Sequence, residues 1–89
     1  MENIKELARL LAVTSNEEEI EEFLVSIFTP AELRTLSSRW ELVKFLEQGI
    51  SQRTIARQLG LSLCKITRGS RELKKENSIL KKMIAQIDN

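Results

Sequence analysis

Two serines eleven positions apart, Ser51 and Ser62, with a single glycine, Gly60, just before the second, constrain this chain more than any other feature. A serine preceding a helix accepts a hydrogen bond from a backbone N–H that the helix itself leaves unpaired. Ser51 is therefore expected to cap a short helix, Gln52 to Leu59, and Ser62 a second that opens Leu63-Cys64-Lys65-Ile66-Thr67-Arg68. Gly60-Leu61 is left for the turn. A helix-turn-helix needs a small residue where its helices touch (Ala56), a glycine four residues later, and apolar residues to lock the crossing (Ile55, Leu59, Leu61, Ile66). All are present at the required spacing, between about Ser51 and Leu73. A short helical hairpin in an ordinary bundle shares the glycine and the apolar pattern, but capping and charge together favour the helix-turn-helix.

The remaining chain carries helical signals of the same kind, and the fold class is all-α. Only three Gly and one Pro punctuate the sequence, and no alternating apolar run bounded by turn residues suggests a strand. Ile4, Leu7, Ala8, Leu11 and Ala12 recur at helical spacing within Ile4 to Val13, and Thr14-Ser15-Asn16 ends that helix. Ser15 or Asn16 then caps a second helix whose first turn holds Glu17, Glu18 and Glu19, where the positive end of the helix dipole stabilises them. Its apolar face is Ile20, Phe23, Leu24 and Ile27. Thr29-Pro30-Ala31-Glu32 combines a capping hydroxyl, a proline at the first helical position and a carboxylate three residues after the cap. The third helix runs through Leu33, Leu36, Trp40, Val43 and Leu46 to Gly49, with Trp40 expected in the core. A last helix from about Asn77 to Ile87 sets Leu80, Ile84 and Ile87 against Lys81 and Lys82. With 89 residues, one domain spanning 1–89 and one modest core are expected.

The net charge of +1 hides a strong asymmetry. Residues 1–30 hold two basic residues against seven glutamates, whereas residues 31–89 hold twelve against six acids. Between Ser51 and Lys75 there are seven Lys or Arg and one acid, Glu72, so a polyanion is drawn to the helix-turn-helix itself. A solvated basic face is the plainer alternative. Recognition helices read the major groove with their N-terminal residues, which places Leu63, Cys64, Lys65 and Thr67 near base edges or adjacent phosphates. Gln52 and Arg53 begin the first helix. The Arg53 guanidinium suits either a bidentate pair with guanine or a phosphate clamp, with base contact favoured. Cys64 reads as a groove-facing or semi-buried side chain rather than a redox switch, because no second cysteine is present to resolve an oxidised thiol.

Several classes are disfavoured. There is no His, no nucleophile paired with a base, and no metal-ligand set, so neither an enzyme nor a metal or cofactor protein is expected. The N-terminal apolar residues are interrupted by charges, and no run approaches the roughly 18 to 20 apolar residues of a membrane span. With a lone Cys64 as well, a cytoplasmic protein is expected.

At the level of particular residues the chain resembles the bacterial tryptophan repressors. The matching stretches lie within about Phe23 to Lys74. They are Thr29-Pro30 followed by Glu32, Ser38-Arg39, Gly49-Ile50-Ser51-Gln52-Arg53, Leu59-Gly60, and Ile66-Thr67-Arg68-Gly69-Ser70 with Leu73 and Lys74. The resemblance implies an intertwined homodimer of six short helices per chain that represses transcription, with L-tryptophan as corepressor and a palindromic DNA operator as target. By position it implies that Arg68 binds the ligand carboxylate, Arg39 lies against one indole face and Gly69 leaves room for the ring. Thr29 and the carbonyls around Ser26 and Phe28 would hold the ammonium group from the other subunit. Such roles suit the chemistry, since a guanidinium stacks on indole and forks onto a carboxylate; apart from the resemblance, Arg39 and Arg68 read as surface charges. Two positions depart from the family pattern. Glu72 stands where a small hydroxyl residue is usual, and either pairs with the ammonium or, as residue i+4, neutralises Arg68. Lys65 replaces a threonine and adds positive charge beside the phosphates. Two other readings remain at this point: a ligand-independent helix-turn-helix module of the mobile-element kind, and a helical protein-interaction module.

Overall fold

The structure, a computed structural model, describes residues 1–87; Asp88 and Asn89, the last residues of the expected domain, lie outside the described residues. Six helices follow one another with no strand among the described residues: α1 (Glu2–Val13), α2 (Glu17–Ile27), α3 (Pro30–Glu47), α4 (Gln52–Leu59), α5 (Leu63–Lys74) and α6 (Ile79–Ile87). The expected all-α class is what is found. The chain divides into two compact units, Met1–Arg34 and Thr35–Asn89.

Local chemistry sets most helix boundaries. Asn16, rather than Ser15, caps α2: its side chain accepts from the N–H groups of Glu18 and Glu19 at 2.9 and 3.1 Å. At α3 the Glu32 N–H donates to Thr29 Oγ1 (3.1 Å) while the Thr29 N–H donates to Glu32 Oε1 (2.8 Å), a reciprocal capping box. α3 ends in a left-handed turn. Gly49 has φ +84°, the Ile50 N–H reaches back to the Phe45 carbonyl, and the Gly49 N–H to that of Leu46. α1 begins two residues earlier than the apolar pattern suggests, with Glu2 in its first turn. α6 begins later than expected. Asn77 takes a left-handed conformation (φ 59°) that interrupts the helix, and the Ser78 hydroxyl accepts from the Lys81 N–H (3.4 Å) to start it afresh.

In the first unit neither α1 nor α2 has a fully buried residue. Leu11, Ile20 and Phe23 are half-buried and, with Leu10, line a groove between the two helices. Val13 is 79% exposed, and Ile27, expected on the inner face of α2, is also exposed. Two short helices have too little surface to enclose a core of their own.

The second unit contains two apolar clusters. One joins Leu42 of α3, Ile55 of α4 and Ile66 of α5, with Phe45, Leu46, Ile50, Ala56, Leu59 and Leu61 packed around them. Ile55 and Ile66 are both 0% exposed, and the residues expected to lock the crossing are all here. The other cluster joins Val43, Leu73 and Ile84, with Trp40, Leu46 and Leu80 against it. Trp40 thus packs at the margin of a cluster, half-buried rather than central, and Ile87 is exposed where the apolar stripe placed it inside. α3 therefore supports α5 along its length: Leu42 beneath Ile66, and Val43 beneath Leu73.

Candidate functional site

The helix-turn-helix is built from two capped helices and a left-handed glycine. The Thr54 N–H donates to Ser51 Oγ (3.2 Å) at the start of α4, and the Lys65 N–H to Ser62 Oγ (3.4 Å) at the start of α5. Between them Gly60 adopts φ 63°, ψ 31°, and its N–H closes α4 on the Ala56 carbonyl. The observed helices, 52–59 and 63–74, reproduce the expected segment to within one residue. Because Ile66 is held in the core, Leu63, Cys64, Lys65 and Thr67 are left exposed around it. Leu63, at the start of α5, is 60% exposed. Gln52 and Arg53 are likewise exposed at the start of α4. Neither α4 nor α5 has an acidic residue in its first turn, whereas α2 has three. The positive ends of α4 and α5 are thus left open to an anion.

Behind this face lies a cavity of about 220 Å³. α3 contributes Arg39, Leu42 and Val43; α5 contributes Lys65, Arg68, Gly69 and Glu72; α6 contributes Leu80. Arg39, Arg68, Gly69 and Glu72, four positions singled out in the sequence, are brought together here. Among the described residues Arg39 and Arg68 make no hydrogen bond or close ion pair, although the Arg68 charge acts on Glu72. Gly69 has a packing role as well, since a Cβ there would stand 3.3 Å from Leu42 Cδ2 and 3.4 Å from Leu46 Cδ1. Its bare backbone lets α5 approach α3 at the cavity wall.

The close ion pair of Glu72 is with Lys75, while Arg68 acts on it only through its charge. Lys75 Nζ lies 3.1 Å from Oε1 and 3.0 Å from Oε2 of the Glu72 carboxylate. The Lys75 hydrogen bond, with the charges of Lys75, Arg68 and Arg71, holds the Glu72 carboxyl below its ordinary 4.5, against a smaller opposing effect of burial. Glu72 is therefore anionic at neutral pH. Four residues of the cavity wall, Leu42, Val43, Lys65 and Leu80, lie outside the ligand set that the sequence suggests. Lys65, expected at the DNA face, also lines the cavity, as its spacing from Arg68, Gly69 and Glu72 on one side of a helix allows. Leu42 and Val43 follow Arg39 by three and four residues. Ser26, Phe28 and Thr29 belong to the first unit, where Ser26 is exposed on α2, Phe28 closes α2 with its N–H on the Leu24 carbonyl (3.0 Å), and the Thr29 hydroxyl is engaged in the α3 capping box.

A family model described as Trp repressor protein matches residues 2–88 of this sequence. The chain belongs to that family. It is 40% identical over 72 residues to the Trp operon repressor homolog of Vibrio cholerae, covering 80% of this chain and 70% of the relative. The corresponding protein of Vibrio parahaemolyticus is 32% identical over 88 residues, 93% of this chain and 85% of the relative. That of Vibrio vulnificus is 46% identical over 52 residues, 57% of this chain and 51% of the relative. No solved structure is a significant match. Membership of the Trp repressor family makes this chain a DNA-binding repressor of transcription, and its α4 and α5 form a helix-turn-helix. No helix among the described residues is long and apolar enough to cross a membrane.

Proposed function

We propose that this chain is a tryptophan-dependent repressor, acting in the cytoplasm as a homodimer on a palindromic operator. One observation carries the reading: Arg39, Arg68 and Gly69 converge on a cavity with an apolar floor directly behind the recognition helix. The chemistry suits a zwitterionic aromatic amino acid. Arg68 binds the carboxylate through its planar fork. Arg39 lies on one face of the indole, with Leu42, Val43 and Leu80 beneath the ring. Glu72 faces the ammonium group, and Thr29 with the backbone around Ser26 and Phe28 of a second chain completes that end.

Regulation follows from the position of the cavity between α3 and α5. A ligand wedged there favours the arrangement in which α5 stands away from α3, and shifts the population toward it in proportion to its preference for that state. In helix-turn-helix dimers, Trp repressors among them, the two recognition helices fit successive major grooves about 34 Å apart. Gln52, Arg53, Leu63, Cys64, Lys65 and Thr67 are the groove-facing and phosphate-facing set. The exposed apolar residues of α1 and α2, Leu10, Val13, Val25 and Ile27, support a shared core completed by a partner chain.

Calorimetric titration of L-tryptophan, with D-tryptophan and indole-3-propionate as controls, tests the reading. One saturable site per chain, weakened when the ammonium is absent, is expected. No heat from any of the three would refute tryptophan as corepressor and leave a helix-turn-helix protein that binds DNA without a ligand.

A further inference from the structure

We propose that Lys75 is an internal competitor for the ammonium-recognising carboxylate of the ligand cavity, so that an amino-acid ligand must displace it. The inference rests on the tryptophan reading above and concerns how that site is tuned. Glu72 is the sole carboxylate among the residues lining the cavity, and the other charged groups there, Arg39, Lys65 and Arg68, are cations. An amine entering this cavity therefore has one charged group to pair with. In the empty protein that group is already engaged, with both oxygens within 3.1 Å of Lys75 Nζ.

Lys75 is suited to being displaced. It follows the last residue of α5, with an extended backbone (φ −64°, ψ 143°), and does not itself line the cavity. Its side chain is 60% exposed, so the ammonium can swing into water with little loss of packing. An exposed lysine–carboxylate pair is weak, and its loss should cost a ligand a small factor in affinity rather than prevent binding. The Lys75 ammonium and an α-ammonium are the same kind of group at the same carboxylate. Exchange leaves Glu72 neutralised in either state, while an amine-free aromatic acid leaves the Glu72–Lys75 pair untouched. The pair thus sets the preference of the site between amino acids and their deaminated analogues.

The test is calorimetric titration of L-tryptophan and of indole-3-propionate into wild type, K75Q, E72Q and the double variant, with melting curves to confirm that each is folded. K75Q should bind L-tryptophan about two- to five-fold more tightly with indole-3-propionate unchanged, and in the E72Q background the same substitution should have no effect. Unaltered L-tryptophan affinity in K75Q would overturn the proposal. So would an equal change for both ligands, or a gain that persists without Glu72, either of which would mark a general effect of charge. L-tryptophan binding that ignores both substitutions refutes this inference alone. Silence from all four proteins with both ligands refutes the tryptophan reading together with it.

Discussion

Replacing Gly60 by alanine isolates the cost of the turn in the helix-turn-helix. Its φ of +63° lies in the left-handed region, and a Cβ built there meets nothing within 4 Å, so crowding contributes nothing and the effect is confined to the backbone. Holding an L-residue in that conformation costs about 1–2 kcal/mol. Alanine also restricts the unfolded chain, which returns about 0.4–1 kcal/mol. The mid-range expectation is destabilisation by about 0.8 kcal/mol, or a melting temperature lower by roughly 3 to 6 °C in a domain of this size. Circular dichroism melts at a fixed protein concentration measure it, since the midpoint of an oligomer depends on concentration. Asparagine, whose short polar side chain tolerates the left-handed region, provides the control, and G60N should fall between wild type and G60A. Alanine as stable as glycine, or asparagine worse than alanine, would refute the backbone argument.

Other outcomes follow from the same structure. I66A empties a site that is 0% exposed at the centre of the α3–α4–α5 cluster, and should lower the unfolding free energy in urea by about 2–5 kcal/mol. K65A leaves the fold intact because Lys65 is exposed, and should weaken DNA binding on all sequences while reducing the salt dependence by about 0.9 in logarithmic slope, as measured by fluorescence anisotropy over a range of salt. The Glu72 carboxyl is depressed in the folded state, so its contribution to stability is present above the ordinary value of 4.5 and lost as pH falls through the lower folded value. Urea midpoints of wild type and E72Q should therefore differ at neutral pH and converge in acid; a gap that stays constant would refute the ion pair as its source.

The helix boundaries were legible because most are local. Asn16, Thr29 with Glu32, Ser51 and Ser62 each satisfy N–H groups two or three residues away, and such bonds form whatever the rest of the chain does. The α6 start escaped because Asn77 is compatible with either a helix or a left-handed turn, and apolar spacing does not distinguish them. Within the candidate site, Arg39, Arg68, Gly69 and Glu72 were identified by their resemblance to a family pattern, without which the two arginines read as surface charges. The choice of Lys75 over Arg68 as partner of Glu72 depended on where the end of α5 leaves the chain, since both lie within reach on a helix.

By itself, then, the sequence determined the all-α class, the capped helix-turn-helix with its left-handed glycine, and the charge that draws a polyanion to it, since each rests on bonding or charge within a few residues. The tertiary structure decided what depends on segments meeting. It placed Trp40 at the edge of a cluster, made the Gly69 backbone the point where α5 approaches Leu42 and Leu46, and set Lys65 beside Arg39 in one cavity. Arg39 and Lys65 stand far apart along the chain, and only the packing of α5 on α3 through Leu42, Ile66, Val43 and Leu73 brings them to one place. Such packing is set by the shapes of both helices together, and no local pattern in either one specifies it.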